Sequence, residues 1–167
     1  LIWGAGGEIG SAIIDQLNAD RWQTLAVARD SDAIPSGADR TYEADFQIPA
    51  SVERAVYTIS QEVEQIDLLC YAAGDILSSK VADLQPDDWD RVISANLSGA
   101  YLAVHYSLPL LSQESHIFLI GAVSERLRLP GLSAYAAAKA GLEAFAEALA
   151  KEQRKKRITV VRPGAVA

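Results

Sequence analysis

The stretch Leu1-Ile-Trp-Gly-Ala-Gly-Gly-Glu-Ile-Gly10 decides the fold of this chain. Within it, Gly4, Gly7 and Gly10 are spaced three residues apart, between a short apolar run and an amphipathic segment. A glycine loop between a strand and a helix is typical of a dinucleotide site, because residues without a Cβ allow a tight turn and a close approach to the pyrophosphate. The first N–H groups of the following helix add donors for the phosphates. The stretch therefore predicts a strand, a phosphate-binding loop and a helix.

Short apolar runs alternate with longer amphipathic segments along the rest of the chain, which is typical of βαβ units on a parallel sheet. The predicted strands are 1–3, 24–28, 40–43, 66–72, 116–122 and 158–162, and the predicted helices are 9–19, 51–63 (with Ser51 as its cap), 86–111 and 133–155. Several runs are apolar at consecutive positions, which indicates strands covered on both faces. We therefore predict an α/β fold with a Rossmann-type doubly wound parallel sheet in three layers. Residues 1–167 form one NAD(P)-binding domain in this prediction.

The composition excludes several classes of protein. Hydrophobic residues make up 50% of the chain and charged residues 22%, as in a globular domain. The 22 Asp and Glu residues outnumber the 15 Lys and Arg residues and give a net charge of −7. An acidic chain repels a phosphate backbone, so we expect no nucleic-acid partner. No apolar run approaches the ~18 residues that suggest a membrane span, so we expect no membrane partner.

The single cysteine, Cys70, allows no internal disulfide and no multi-cysteine zinc site. His105 and His116 show no ligand spacing, so we expect no metal site. One cysteine suits a reducing compartment, and we expect a cytoplasmic protein. The chain starts without Met inside an apolar run and ends abruptly at Ala167, so we expect it to be truncated at both ends.

The end of the second predicted strand bears on the choice of dinucleotide. A carboxylate at this place accepts from the ribose 2′-OH of NAD, whereas a cation pairs with the 2′-phosphate of NADP. Ala28 stands where the carboxylate is expected, and Arg29 follows it. Arg suits bidentate phosphate recognition, so the sequence favours NADP(H) over NAD(H). Asp30, the next residue, weakens this inference, and an Arg after a strand is often an ordinary surface residue.

Tyr135 and Lys139 open the last, Ala-rich helix at a spacing of four residues, which puts both side chains on one face. An ammonium group near a phenol favours the phenolate, and this makes the phenol a usable general acid. Taken alone, the pair is also compatible with a half-buried Tyr and a solvated Lys.

In their order along the whole chain, these segments resemble the short-chain dehydrogenase/reductase family. The resemblance adds four further matches to the glycine loop and the Tyr-Lys helix: Asp45 in Glu43-Ala-Asp-Phe46, Tyr71-Ala-Ala-Gly74, Asn96 in Ser94-Ala-Asn-Leu-Ser-Gly99, and Arg162-Pro-Gly-Ala-Val166. Leu129-Pro-Gly-Leu-Ser-Ala-Tyr135 leads into the catalytic Tyr as it does in the family.

The resemblance implies hydride transfer between NADPH and a carbonyl or alcohol. It implies that Tyr135 protonates the carbonyl oxygen, that Lys139 assists it and binds the nicotinamide ribose, and that Asn96 holds a water for proton relay. The residues expected to bind the cofactor are Gly4, Gly7, Glu8, Ile9, Gly10, Arg29, Asp45, Phe46, Ala73, Gly74, Tyr135, Lys139, Pro163 and Gly164. The family's helices usually pair symmetrically, so we expect a homodimer or homotetramer.

Three positions depart from the family's pattern. Glu8 stands where the commoner loop has Gly and brings a negative charge near the phosphates. Tyr71 replaces the Asn that begins the Asn-Ala-Ala-Gly motif. Ala122 occupies the place of the catalytic Ser, thirteen residues before Tyr135, and has no hydroxyl to polarise a carbonyl. In a continued strand Ser124 faces the same way about 6.6 Å further along, and a bend of the loop would bring it back as a stand-in.

Two functions of different classes remain open at this point, together with a variant of the first. The leading one is an NADPH-dependent reductase with rearranged electrophilic assistance. The alternative is a non-catalytic NADP-binding sensor or assembly protein that lost its chemistry at Ala122. A third, an epimerase or dehydratase-like member, draws only on the spacing of the glycines.

Overall fold

Parallel strands form the sheet of the computed structural model, which describes residues 1–123 and 129–164. In these residues the strands are β1 (Ile2–Trp3), β2 (Leu25–Ala28), β3 (Arg40–Glu43), β4 (Ile66–Tyr71), β5 (Leu111–Ile120) and β6 (Arg157–Val161). Their order across the six-stranded sheet is β3-β2-β1-β4-β5-β6. All neighbouring pairs are parallel, and the order reverses between β1 and β4. The predicted doubly wound α/β fold is confirmed, and ligands bind at such a reversal.

Helices cover both faces of this sheet and give the three layers. In the described part of the chain they are α1 (Glu8–Ala19), α2 (Pro49–Ser60), α3 (Pro86–Ile93), α4 (Gly99–Ser107) and α5 (Ser133–Glu152). Alternate strand residues point to opposite faces. Ile2 therefore joins a core cluster with Ile14 of α1, whereas Trp3 joins a larger cluster with side chains of α2, α4 and α5.

The prediction of one helix over 86–111 is wrong in two respects. A five-residue π turn, Ser94–Ser98, separates α3 from α4, and the N–H of Gly99 donates to the carbonyl of Ser94, five residues back. Apolar periodicity does not reveal such a turn, because one extra residue shifts the pattern only slightly. The strand that follows begins at Leu111, five residues before the predicted start. Residues 112–115 read Ser-Gln-Glu-Ser, so their polarity hides the beginning of β5.

The beginning of α2 also differs from the prediction. Pro49 occupies the first turn, and the capping position belongs to Ile48 rather than to Ser51. Proline suits the first turn because its missing N–H is not needed there. The Ser51 hydroxyl instead accepts from the N–H of Asp45 at 2.9 Å, and it lies 2.8 Å from the carbonyl oxygens of both Asp45 and Ile48, to which it can donate. This side chain therefore ties the loop after β3 to the beginning of α2.

No helix within residues 1–123 and 129–164 is long and apolar enough to cross a membrane.

Candidate active site

The glycine loop packs directly against the chain that follows β4. Gly4 has φ +80°, and a Cβ built there would lie 2.4 Å from the backbone N of Ala73. A Cβ on Gly10 would lie 2.3 Å from the carbonyl oxygen of Gly4. Both contacts are impossible for a residue with a side chain, so glycine at these positions lets the loop turn tightly and lets α1 lie close to it. Gly10 therefore packs against the backbone of the loop and lines neither of the two cavities described next.

Two adjoining cavities open at the carboxyl ends of the strands, where the strand order reverses. The larger cavity has a volume of about 680 Å³ and the smaller about 440 Å³. Both are lined by Gly7, Gly74 and Ala73, residues of the glycine loop and of the segment after β4. The cleft therefore runs continuously past the first turn of α1, whose free N–H groups favour an anion.

The smaller cavity contains one group of the residues predicted to bind the cofactor. Gly4, Arg29, Asp45 and Phe46 line it. The Asp45 carboxylate accepts from the N–H of Gln47 at 2.9 Å, which turns the loop after β3 toward the cavity.

The carboxylates around Arg29 are engaged with the loop that follows β2. Asp30 accepts from the N–H of Asp32 at 3.0 Å, as the cap of a short 3₁₀ helix. Glu43 accepts from the Ser31 hydroxyl at 2.7 Å, and this hydrogen bond holds the pKa of Glu43 below its usual range. Arg29 is exposed at the cavity and forms no hydrogen bond or ion pair with the described residues.

The larger cavity brings together the residues predicted to do the chemistry. Tyr135, Lys139 and Asn96 line it, although they come from two separate elements. The remaining predicted residues on its wall are Glu8, Ile9, Pro163 and Gly164.

Tyr135 and Lys139 lie one turn apart at the start of α5. The Lys139 Nζ lies 5.6 Å from the centroid of the Tyr135 ring. Lys139 is only 3% exposed, and its Nζ donates to the carbonyl oxygen of Ile120 at 2.8 Å. Ile120 ends β5, so this hydrogen bond fixes the ammonium group at the carboxyl edge of the sheet.

Asn96 is fully buried in the π turn and is held by its amide nitrogen. Nδ2 donates to the carbonyl oxygens of Asp75 at 2.6 Å and Val92 at 2.9 Å. Oδ1 is buried and has no hydrogen-bond partner among the described residues. It lies 2.9 Å from the point where a Cβ on Gly74 would stand, and the Lys139 Nζ lies 3.9 Å from that point. An unpartnered buried acceptor beside an ammonium group can bind a water or a ligand hydroxyl.

A family model described as short chain dehydrogenase matches residues 1–167, which is the whole chain. The chain belongs to the short-chain dehydrogenase family. Members of this family bind NAD(P)(H), act on small-molecule substrates and are often oligomeric. The glycine cradle at Gly4 and Gly10, the continuous cleft and the unpartnered Asn96 Oδ1 fit such a dinucleotide.

Relatives of this short-chain dehydrogenase are named as oxidoreductases. An uncharacterized oxidoreductase of Staphylococcus aureus is 26% identical over 177 residues, covering 99% of this chain and 77% of the relative. One from Staphylococcus epidermidis is 26% identical over 176 residues, covering 99% of this chain and 76% of the relative. The chain is an oxidoreductase of this family, and the alternative of a non-catalytic NADP-binding protein is not favoured.

Solved structures show the same fold. A glucose/ribitol dehydrogenase of the short-chain family from Brucella melitensis superposes with a TM-score of 0.91 at 26% identity, covering 98% of this chain and 73% of that one. A putative short-chain oxidoreductase from Thermus thermophilus gives a TM-score of 0.84 at 27% identity, covering 99% of this chain and 80% of that one.

Two of the three departures from the family's pattern lie on the larger cavity. Ala122 is buried on its wall, so a methyl group stands at the position of the serine hydroxyl. Glu8 begins α1 on the same wall and brings its carboxylate to the helix N-terminus. Ser124, the predicted stand-in for the missing serine, lies outside the described residues.

The third departure, Tyr71, lies in the core beneath the cleft. It is fully buried at the end of β4, and its hydroxyl donates to the carbonyl oxygen of Ala95 at 2.6 Å. Its ring meets the Phe46 ring edge-on, with the centroids 5.2 Å apart. The sequence alone identifies the missing Asn, but it does not reveal this new hydrogen bond.

Sequence reasoning missed two ion pairs that fix the walls of the cleft. Arg91 of α3 pairs with Asp75, the residue after the Tyr-Ala-Ala-Gly segment. Arg162, after β6, pairs with Glu143, one turn beyond Lys139 on α5. The available signal for the second pair was weak: an acid on α5 and a base beside the Pro-Gly segment, 19 residues apart in sequence.

No group of three or more His, Cys, Asp or Glu side chains within the described ranges has an arrangement that would hold a metal ion.

Proposed function

We propose that this chain is an NADPH-dependent oxidoreductase that transfers a hydride to or from a small-molecule carbonyl or alcohol, with Tyr135 as general acid and base. The observation that carries the proposal is the convergence of Tyr135, Lys139 and Asn96 on one cleft that continues past the glycine loop. A protein that only binds the dinucleotide has little use for a phenol and an ammonium group at that end of the cleft.

Tyr135 acts on the oxygen of the substrate in this proposal. A dinucleotide held in the cleft would supply the hydride that reduces the carbonyl carbon, and would itself be oxidised. Tyr135 gives its hydroxyl proton to the carbonyl oxygen, so the O–H bond of the phenol breaks as that of the product forms. In the oxidising direction the phenolate takes the proton back.

Lys139 and Asn96 assist this proton transfer without contacting the substrate oxygen themselves. The ammonium group at 5.6 Å from the ring stabilises the phenolate, and its burial strengthens the attraction because the surroundings screen it poorly. A water that donates a hydrogen bond to Asn96 Oδ1 would connect Lys139 with solvent. Through this connection a proton would return to Tyr135 after each turnover. The unpartnered Oδ1 beside the ammonium group supports this role.

A second donor to the substrate oxygen has to come from outside the Ala122 position, since charge builds on that oxygen as the hydride arrives. Ser124, two residues after Ala122, is the proposed donor. Loss of one donor of this kind typically reduces the rate by about 10²–10³.

NADPH rather than NADH is the proposed cofactor. Arg29 at the smaller cavity and the absence of a carboxylate at Ala28 support this choice. The engagement of Asp30 and Glu43 with the loop after β2 removes two carboxylates from competition for Arg29. Cofactor binding would also use the other predicted residues that line the two cavities: Gly4, Gly7, Glu8, Ile9, Asp45, Phe46, Ala73, Gly74, Pro163 and Gly164.

The experiment measures NADPH oxidation with a panel of aldehydes, ketones and quinones for the native chain, Ser124→Ala and Ala122→Ser. We expect Ser124→Ala to reduce turnover by about 10²–10³ and Ala122→Ser to add little. A silent Ser124→Ala together with a faster Ala122→Ser would show that no group replaces the serine. No turnover in any of the three proteins, with NADPH binding confirmed, would refute the enzymatic proposal.

The proposal includes a homodimer or homotetramer in the cytoplasm. Tyr101 of α4 is 48% exposed and stacks on His105, so a large aromatic surface is available on the outer side of this helix. Burial raises the pKa of the Cys70 thiol, and an unreactive thiol suits a reducing compartment. Light scattering on the purified chain measures the oligomeric state.

A further inference from the structure

The π turn that carries Asn96 is held at three consecutive residues. The carbonyl of Ala95 accepts from the Tyr71 hydroxyl at 2.6 Å, and Asn96 is held through its own amide nitrogen. Leu97 packs against α5 so closely that a Cβ on Gly141 would lie 2.8 Å from its Cδ2. Ala95 and Asn96 line the cleft, and Tyr71 contacts Ala95 from the core.

We propose that Tyr71 is a positioning residue for Asn96. Its hydroxyl fixes the π turn from the core side, so that Nδ2 of Asn96 stays on the Asp75 and Val92 carbonyls while Oδ1 stays at the space beside Gly74 that it shares with the Lys139 Nζ. The inference rests on the proposed function, because it matters for activity only if Asn96 serves the proton transfer.

Gly99 makes room for this hydrogen bond. A Cβ on Gly99 would lie 2.3 Å from the Tyr71 hydroxyl oxygen and 2.6 Å from the Cγ of Phe46. A larger residue at the first position of α4 would therefore displace the phenol from the turn. Phe46 also lines the smaller cavity. The Tyr71 side chain therefore contacts a cavity residue with its ring and the π turn with its hydroxyl.

The Tyr71 hydroxyl remains a donor over the whole working range of pH. Burial raises the pKa of Tyr71 well above its usual value, because the charged phenolate would be poorly solvated in the core. The Ala95 carbonyl therefore keeps its partner under all conditions in which the enzyme is measured. The Asn that the family has at this position is shorter than Tyr, so it would not extend to the Ala95 carbonyl as the Tyr71 hydroxyl does.

Tyr71→Phe is the decisive variant, because it removes only the hydroxyl and keeps the ring that packs on Phe46. Tyr42→Phe is the matched control, since the Tyr42 hydroxyl donates to Glu62 at 2.6 Å and neither residue lines either cavity. Hydrogen–deuterium exchange of peptides spanning residues 92–101 is the first readout and does not require activity. We expect these amides to exchange about tenfold faster in Tyr71→Phe and at the native rate in Tyr42→Phe.

The second readout is steady-state kinetics on the full chain with any substrate found in the panel. We expect kcat of Tyr71→Phe to fall about tenfold, while KM and the Kd for NADPH stay within about twofold of native. The double variant of Tyr71→Phe with Asn96→Ala should be no slower than Asn96→Ala alone, because both changes disturb the same group.

Each outcome separates this inference from the proposed function. Unchanged exchange in Tyr71→Phe, or a kcat loss that multiplies with that of Asn96→Ala, would overturn the positioning role. Faster exchange with native kcat would overturn it as well, because the turn would then move without consequence for turnover. A native chain without turnover would refute the proposed function and, with it, a role of Tyr71 in activity, while the exchange data would still decide whether Tyr71 holds the turn.

Discussion

The loops after β2 and β3, on the smaller cavity, and the side chains of the larger cavity are held by different kinds of contact. In the two loops the carboxylates make local hydrogen bonds: Asp30 binds the N–H of Asp32 and Asp45 that of Gln47, each two residues along the chain. In the larger cavity Lys139 binds a carbonyl 19 residues away and Asn96 one 21 residues away. Changes at Lys139 or Asn96 should therefore disturb several elements at once, whereas changes in the two loops should remain confined to cofactor binding.

The largest effect is expected at Tyr135. Tyr135→Phe removes the proton donor and should reduce turnover by about 10²–10⁴, with NADPH binding nearly unchanged. For the native chain, carbonyl reduction should also slow toward alkaline pH, because reduction needs the protonated phenol. Initial rates and a fluorescence titration of NADPH measure both quantities. Tyr57→Phe is the control, because Tyr57 is 66% exposed on α2; undiminished turnover in Tyr135→Phe would mean that another group donates the proton.

Gly74→Ala tests whether the space between Asn96 and Lys139 is used. The new Cβ would stand 2.9 Å from Asn96 Oδ1, too close for contact, and would occupy the place proposed for the relay water. We expect turnover to fall by about tenfold or more, since a buried acceptor would lose its partner. Gly37→Ala is the control, because its nearest neighbour is the end of the half-buried Asn18 side chain at 3.1 Å and Gly37 lines neither cavity. Native kcat in Gly74→Ala would contradict the relay.

A smaller effect, confined to cofactor choice, is expected in the smaller cavity. Arg29→Ala should reduce the preference for NADPH over NADH by about tenfold, because a charge-assisted hydrogen bond to the 2′-phosphate is lost. Parallel titrations of both nucleotides against native and variant protein give the ratio. Arg54→Ala on α2 serves as a charge-matched control. Equal affinities of the native chain for the two nucleotides would contradict the assignment of NADPH.

The smallest effect is expected at Glu8. Glu8→Gln removes a negative charge at the start of α1, close to where the phosphates would bind, and should strengthen NADPH binding by about twofold to fivefold. The gain should shrink at high salt, because the repulsion is screened there. Isothermal titration at two ionic strengths measures it. Weaker binding in Glu8→Gln would show that the carboxylate contributes a hydrogen bond to the cofactor instead.

Short-range patterns determined the part of the protein that the sequence predicted well. The spacing of Gly4, Gly7 and Gly10 indicated a tight loop between β1 and α1, because a backbone that approaches as closely as it does at Gly4 and Gly10 tolerates no Cβ. The alternation of apolar and amphipathic segments was enough for the parallel sheet, and the spacing from Tyr135 to Lys139 placed both side chains on one face of α5. The order of these motifs along the chain indicated the family.

Only the tertiary structure decided how the cleft is held together. The hydrogen bond from Tyr71 to Ala95 joins residues 24 positions apart, and the ion pair of Arg91 with Asp75 joins residues 16 apart. The π turn also escaped prediction, because a single extra residue leaves the hydrophobic pattern nearly intact while it redirects Asn96 into the cleft. Local propensity governs contacts within one turn or strand, whereas the partners of buried polar groups depend on which elements the fold brings into contact.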